Sequence, residues 1–152
     1  MTSISIHQPG YIPWLGFFKK IMYSDVFVFL DDVKFVKRQW HNRNQILAND
    51  GSIFLTVPII KNSGENINEI EISYDEKWNI NHKKTIFYNY KSSEFFEEYW
   101  NFFEDIYSKK FKNLLELNLE LINFFINELE LKTIEIIKSN KITKKNLFTE
   151  ML

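Results

Sequence analysis

Polar and apolar residues alternate over SISIHQ, residues 3–8, which puts Ile4 and Ile6 on one face and predicts a short strand. Pro9 ends it because it has no N–H for a ladder, and Gly10 and Pro13 keep the following loop irregular. Over residues 14–23 the spacing becomes helical, with Trp14, Phe17, Phe18, Ile21 and Met22 on one stripe. Ser24-Asp25 closes that helix. The run VFVFLDDV, residues 26–33, then has the apolar, β-branched and aromatic character of a buried strand. Strand, loop, helix and strand make one βαβ unit, whose two strands are expected to be parallel.

The next stretch, KFVKRQWHNRNQI, is rich in cations and amides. A turn at Asn49-Asp50-Gly51 leads into IFLTVPII, a third strand whose Pro58 marks an edge or an end. A polar loop over 61–68 precedes INEIEIS, which reads as a further strand. Helical spacing then dominates, over residues 78–90, 94–109 and 114–129. Asn113 followed by Glu116 gives the last of these a capping-box start, with Leu114, Leu117, Leu121, Phe124 and Phe125 as its stripe. TIEIIK, residues 133–138, reads as another strand, and the final residues as the start of a helix. The expected architecture is α/β: an N-terminal βαβ, Rossmann-like sheet of three to five strands followed by a helical C-terminal part. It forms a single domain over 1–152, with 1–75 mostly β with one helix, 76–130 helical, and 131–152 a strand plus a helix start.

Composition narrows the function classes. With 152 residues, 45% hydrophobic and 26% charged, the chain is of globular rather than disordered type. No apolar run reaches bilayer length and no signal-peptide pattern opens the chain, so no membrane span is expected and the cytoplasm is the expected location. The absence of cysteine excludes disulfides, a thiol nucleophile and Cys-ligated zinc. A net charge of −1 gives no global attraction to nucleic acid, and a nucleic-acid partner is not expected.

Chemistry concentrates in two places. Only 4 Gly and 3 Pro occur in the chain, yet two of each fall within HQPGYIPWLGFF, residues 7–18. His7 and Gln8 stand where the first strand gives way to a loop and a helix start, the place where open parallel sheets bind ligands. Tyr11 and Trp14 accompany them. The alternative is that His7 caps the strand and packs under Trp14. The second place is residues 31–44, where Lys34, Lys37, Arg38 and Arg43 occur without an acid among them, and Trp40 and His41 stand between them. Arginine forks recognise phosphate or carboxylate bidentately, and a neighbouring ring can stack on a base or sugar. Asp31 and Asp32, ending the second strand, suit a cation or a ribose hydroxyl; salt-bridging to the basic stretch is the simpler role. His82, alone on its helix, is the third histidine; His7, His41 and His82 have no metal-ligand spacing, and no metal centre is expected.

The run from His7 to Ile46, followed by a Gly and FLTVPI, resembles the start of the WbqC-like family of bacterial proteins. The family's His-Gln-Pro-x-Tyr-x-Pro-Trp-x-Gly pattern falls on His7, Gln8, Pro9, Tyr11, Pro13, Trp14 and Gly16. Its later Asp, strand-ending Asp and Asn-Arg-Asn fall on Asp25, on Asp31 or Asp32, and on Asn42, Arg43 and Asn44, and Trp78, His82 and Tyr90 fit its middle region. The ordered match covers roughly the first ninety residues. The resemblance implies an association with surface-polysaccharide and O-antigen gene clusters. Members are usually longer, with a Ser-Gly-rich C-terminal element absent here, so the chain is expected to be a short form or a truncated one. In layout alone, the first βα unit is similar to that of HUP-superfamily nucleotidyltransferases, although Gly16-Phe17-Phe18 stands where their second signature His would be.

Two main readings follow. The first is a transferase of surface-glycan biosynthesis acting on a nucleotide-activated amino sugar, by acyl or aminoacyl transfer. His7 and Gln8 are its catalytic pair, and Tyr11, Trp14, Asp32, Lys37, Arg38, Trp40, His41, Asn42, Arg43 and His82 bind substrate and phosphate. Its ligand is a nucleotide or nucleotide sugar and its partner a small molecule, with homo-oligomerisation left open. The second is a non-catalytic ligand-binding or interaction module using the same residues.

Overall fold

The computed structural model describes residues 2–48, 51–132 and 135–141. Strand β1 (Ile4–His7) pairs in parallel with β2 (Val26–Phe29), and helix α1 (Leu15–Met22) connects them, as the βαβ reading requires. Asp25 ties the two strand starts together: its carboxylate accepts the Ser3 N–H at 2.7 Å and the Ser3 hydroxyl at 2.9 Å. Strand β5 (Glu135–Lys138) joins from the far end of the chain, parallel to β2, in the order β1-β2-β5. Phe27 and Phe29 share one sheet face and pack against Phe17, Phe18 and Ile21 of α1 and Ile122 and Ile126 of α4 (Leu114–Glu128).

The cation-rich stretch contains a strand that its composition concealed. Strand β3 (Arg43–Ala48) pairs antiparallel with β4 (Gly51–Thr56) in a separate two-stranded sheet. The turn expected at 49–51 falls partly outside the described residues. The β4 ladder stops before Val57-Pro58, where Pro has no N–H to offer. The strand expected from INEIEIS is instead a 3₁₀ turn (Ile67–Glu69) followed by single bridges, Ile59 to Ile72 and Glu71 to Asn113. The local cap outcompetes the alternation: Glu69 accepts the N–H groups of Glu65 and Asn66 at 2.9 and 3.0 Å, drawing the backbone into a turn. Ile67, Ile70 and Ile72 are all buried.

Helices α2 (Trp78–Tyr90) and α3 (Phe96–Ser108) lie close to their expected limits, as does α4. Together with the hairpin and the 57–72 segment they enclose a larger core around Tyr11, Trp78, Tyr107 and Leu121. The helix expected to begin near the C-terminus lies outside the described residues. No helix among the described residues is long and apolar enough to cross a membrane.

Candidate functional site

A cavity of about 350 Å³ opens at the C-terminal end of β1, lined by His7, Gln8, Trp14, Trp40 and His41 among others. The loop from Pro9 to Pro13 is fastened to the Trp40 segment by the Tyr11 N–H, which donates to the Trp40 carbonyl at 3.0 Å. Gly10 permits that approach, since a Cβ there would stand 3.1 Å from the Trp40 carbonyl oxygen. Ile12 takes a left-handed φ of 46°, strained for a β-branched residue, and the Asn44 amide holds it by donating to its carbonyl. The tight Pro/Gly loop thus lays the N-terminal motif against the basic stretch.

The two histidines of the cavity are differently placed. His7 donates from Nδ1 to the Gln8 carbonyl at 2.8 Å, which leaves Nε2 as the basic nitrogen of the neutral ring. Its ring meets Trp14 and Phe17 edge-on, each at 5.3 Å between centroids. His41 is buried and donates from Nε2 to Gln8 Oε1 at 2.8 Å, while its Nδ1 has no hydrogen-bond partner. Burial, and then the nearby His7, hold the His41 pKa below its ordinary value. Trp14 and Trp40 are 49% and 47% exposed, open enough to stack on a ligand.

Tyr11 and His82, both expected to bind substrate, are joined to each other in the core. The Tyr11 hydroxyl lies 2.9 Å from His82 Nδ1 and makes a short hydrogen bond with the Tyr107 hydroxyl. All three rings are buried. Burial pushes the Tyr11 and Tyr107 hydroxyls well above the usual phenol range and pulls His82 down to about 4. Tyr11 borders the cavity but its hydroxyl is spent inward, and His82 does not line that cavity. This triad bolts the N-terminal loop to α2 and α3.

Residues 34–44 form the wall between two cavities. Trp40, His41 and Asn44 border the histidine cavity, whereas Lys37, Arg38, Asn42 and Arg43 line a separate cleft of about 550 Å³ on the other side. The cations expected to clamp phosphate beside His7 therefore do not share its cavity. The Arg43 guanidinium lies 4.8 Å over the Phe54 ring. Asn42 donates to the Val57 carbonyl at 2.9 Å and accepts the Val57 N–H on its own carbonyl at 2.7 Å, sealing the end of the hairpin. Among the described residues Asp31 and Asp32 form no ion pair with the basic stretch: Ser139 Oγ lies 2.9 Å from one carboxylate and 2.5 Å from the other, and the Asn140 N–H donates to Asp31 at 3.1 Å. They anchor the end of β5 to the end of β2.

Sequence reasoning missed Asn118, Asn44 and Tyr107 as supports of the site. Fully buried Asn118 donates to the His41 carbonyl at 2.8 Å, so α4 sets the height of that ring. A lone amide inside the apolar stripe of α4 was the available signal, since a buried amide needs a partner.

A family model described as the WbqC-like protein family matches residues 8–152. The uncharacterized protein Rv1507c of Mycobacterium tuberculosis is 33% identical over 136 residues, a match covering 88% of this chain and 58% of that protein. The chain thus spans little more than half the length of that relative. No solved structure matches it significantly. With the motif residues gathered around one loop and the family model covering nearly the whole chain, the protein belongs to the WbqC-like family.

Proposed function

We propose that the protein is a cytoplasmic transferase of bacterial surface-polysaccharide biosynthesis, acting on a nucleotide-activated amino sugar. The observation that carries this reading is the cavity at the end of β1, in which two histidines bracket Gln8 between half-exposed tryptophans. Tryptophan faces suit the apolar faces of a sugar ring. His7, with Nε2 basic, is placed to take the proton from a sugar amine as its nitrogen attacks an activated acyl or aminoacyl carbonyl. The carbonyl's former substituent leaves, and the proton on His7 can pass to it. Gln8 fixes His41 with its proton on Nε2, burial favours the neutral ring, and His41 packs the back of the cavity. Lys37, Arg38 and Arg43 line the neighbouring cleft, toward which the nucleotide would extend.

A non-catalytic binding module is the second reading. It is favoured by the burial of His41 and His82, which leaves His7 as the one histidine that is not buried.

The test is a thermal-shift panel of nucleotide sugars on wild type and His7→Ala, since a ligand that binds the native state alone must raise the melting temperature. A shift in wild type that vanishes in His7→Ala supports the site. Consumption of the sugar nucleotide with an acyl donor, followed by mass spectrometry, separates catalyst from module. A shift unchanged in His7→Ala removes His7 from the site.

A further inference from the structure

The cleft behind the 34–44 wall has its own chemistry. Lys34, Lys37, Arg38 and Arg43 reach it from one side and Lys61 from the opposite loop, with Glu65 as the carboxylate among its lining residues. Among the described residues none of these five cations has an ion-pair partner; the ion pairs there involve Lys83, Lys109 and Lys112. Five unpaired cations around one concavity, in a chain of net charge −1, make a strongly positive local field that low-dielectric walls focus. The Arg43 guanidinium lies over the Phe54 ring, a contact that restrains it. Its Nε is buried without a partner.

A second feature says that the ligand is not a bare anion. Asn42 is 8% exposed and lines the cleft; its Nδ2 is taken by Val57, and its Oδ1 has no donor. A buried acceptor left unmet is costly, and a hydroxyl-bearing ligand can meet it. Phosphates together with hydroxyls describe a nucleotide. The cleft's volume suits one such molecule rather than a polynucleotide track.

Resting on the reading above, we propose that the protein's site is bipartite. The cationic cleft, with Lys34 and Lys61 as phosphate ligands, holds the diphosphate of a nucleoside diphosphate, and the histidine cavity takes the group attached to it. The diphosphate alone then binds without any help from His7.

The experiment is titration calorimetry with ADP, GDP, CDP, UDP and dTDP, and with the nucleotide sugar of whichever diphosphate binds. Wild type is compared with Lys34→Ala, Lys61→Ala and His7→Ala, and circular dichroism checks the fold of each. Lys34 and Lys61 are exposed, so their variants are expected to fold. The expected result is a diphosphate affinity that weakens about tenfold or more in each lysine variant and changes less than about twofold in His7→Ala. If the diphosphate binds but depends on His7 and not on the lysines, its phosphates sit in the histidine cavity; this proposal is overturned while the transferase reading stands. If it binds through the lysines but the sugar adds no affinity and His7→Ala is silent toward the nucleotide sugar, the cleft stands and the transferase reading falls. No binding of any diphosphate overturns the proposal. A short oligonucleotide that outcompetes every diphosphate, with steep salt dependence, overturns it in favour of nucleic acid.

Discussion

At the residue scale, the same motif positions divide between chemistry and construction. His7, Gln8, Trp14 and Trp40 border an open cavity, whereas Tyr11, His82 and Asn44 turn polar atoms to the fold. The sequence displayed residue types, and types do not say which way a side chain turns. His82 makes the distinction measurable. Its neutral ring is favoured in the core, with a pKa of about 4 against an ordinary 6.5. The unfolded chain therefore takes up this proton first as pH falls. Stability is lost between about pH 6.5 and about pH 4, and this contribution levels off below the folded value. The loss is on the order of 3 kcal/mol for His82, and the lowered His41 adds to it in the same sense. Urea unfolding at a series of pH values reads this directly. His82→Gln should flatten most of that slope, and an unchanged slope would place the titration elsewhere.

At the element scale, helices were more legible than strands. α3 and α4 each carry an amphipathic stripe of their own, while β3 begins in a cation-rich run whose composition suggests a loop. Its pairing with β4 depends on a partner strand rather than on local propensity. The segment after β4 shows local chemistry prevailing over pattern, because the Glu69 cap turns INE into a 3₁₀ element. Gly64, in that loop and on the rim of the cationic cleft, is packed so closely that a Cβ would stand 2.2 Å from the Glu69 Cβ and 3.1 Å from its backbone carbonyl. Gly64→Ala should therefore destabilise the protein by about 1–3 kcal/mol, read as a lower denaturant midpoint at constant slope. A neutral substitution would mean that the loop relaxes freely and that the cleft rim is not fixed by Glu69.

For the whole molecule, α4 is the element on which the two halves of the core meet. Leu114, Leu117 and Leu121 face the larger cluster with Tyr11 and Trp78, while Ile122 and Ile126 pack under the parallel sheet. One cooperative transition is the expected consequence, with backbone circular dichroism and tryptophan fluorescence coincident. Ile122→Ala should lower both signals' midpoints together, by about 2–5 kcal/mol, although it removes contacts from the sheet side alone. Separate transitions would show that the two clusters are independent.

The parallel βαβ opening, the three helices and the chemical richness of residues 7–18 and 31–44 follow from sequence alone. Each is written in periodicity, in Pro and Gly placement, or in residue type within a short window. What the tertiary structure decided is how distant windows combine. It paired β5 with β2, brought Lys61 and Lys34 to one cleft, set Asn118 under His41, and divided residues 34–44 between two different cavities. Such placements depend on long-range packing and on hydrogen bonds between residues up to 109 positions apart, as in the Asp31–Asn140 contact, and no local pattern encodes them.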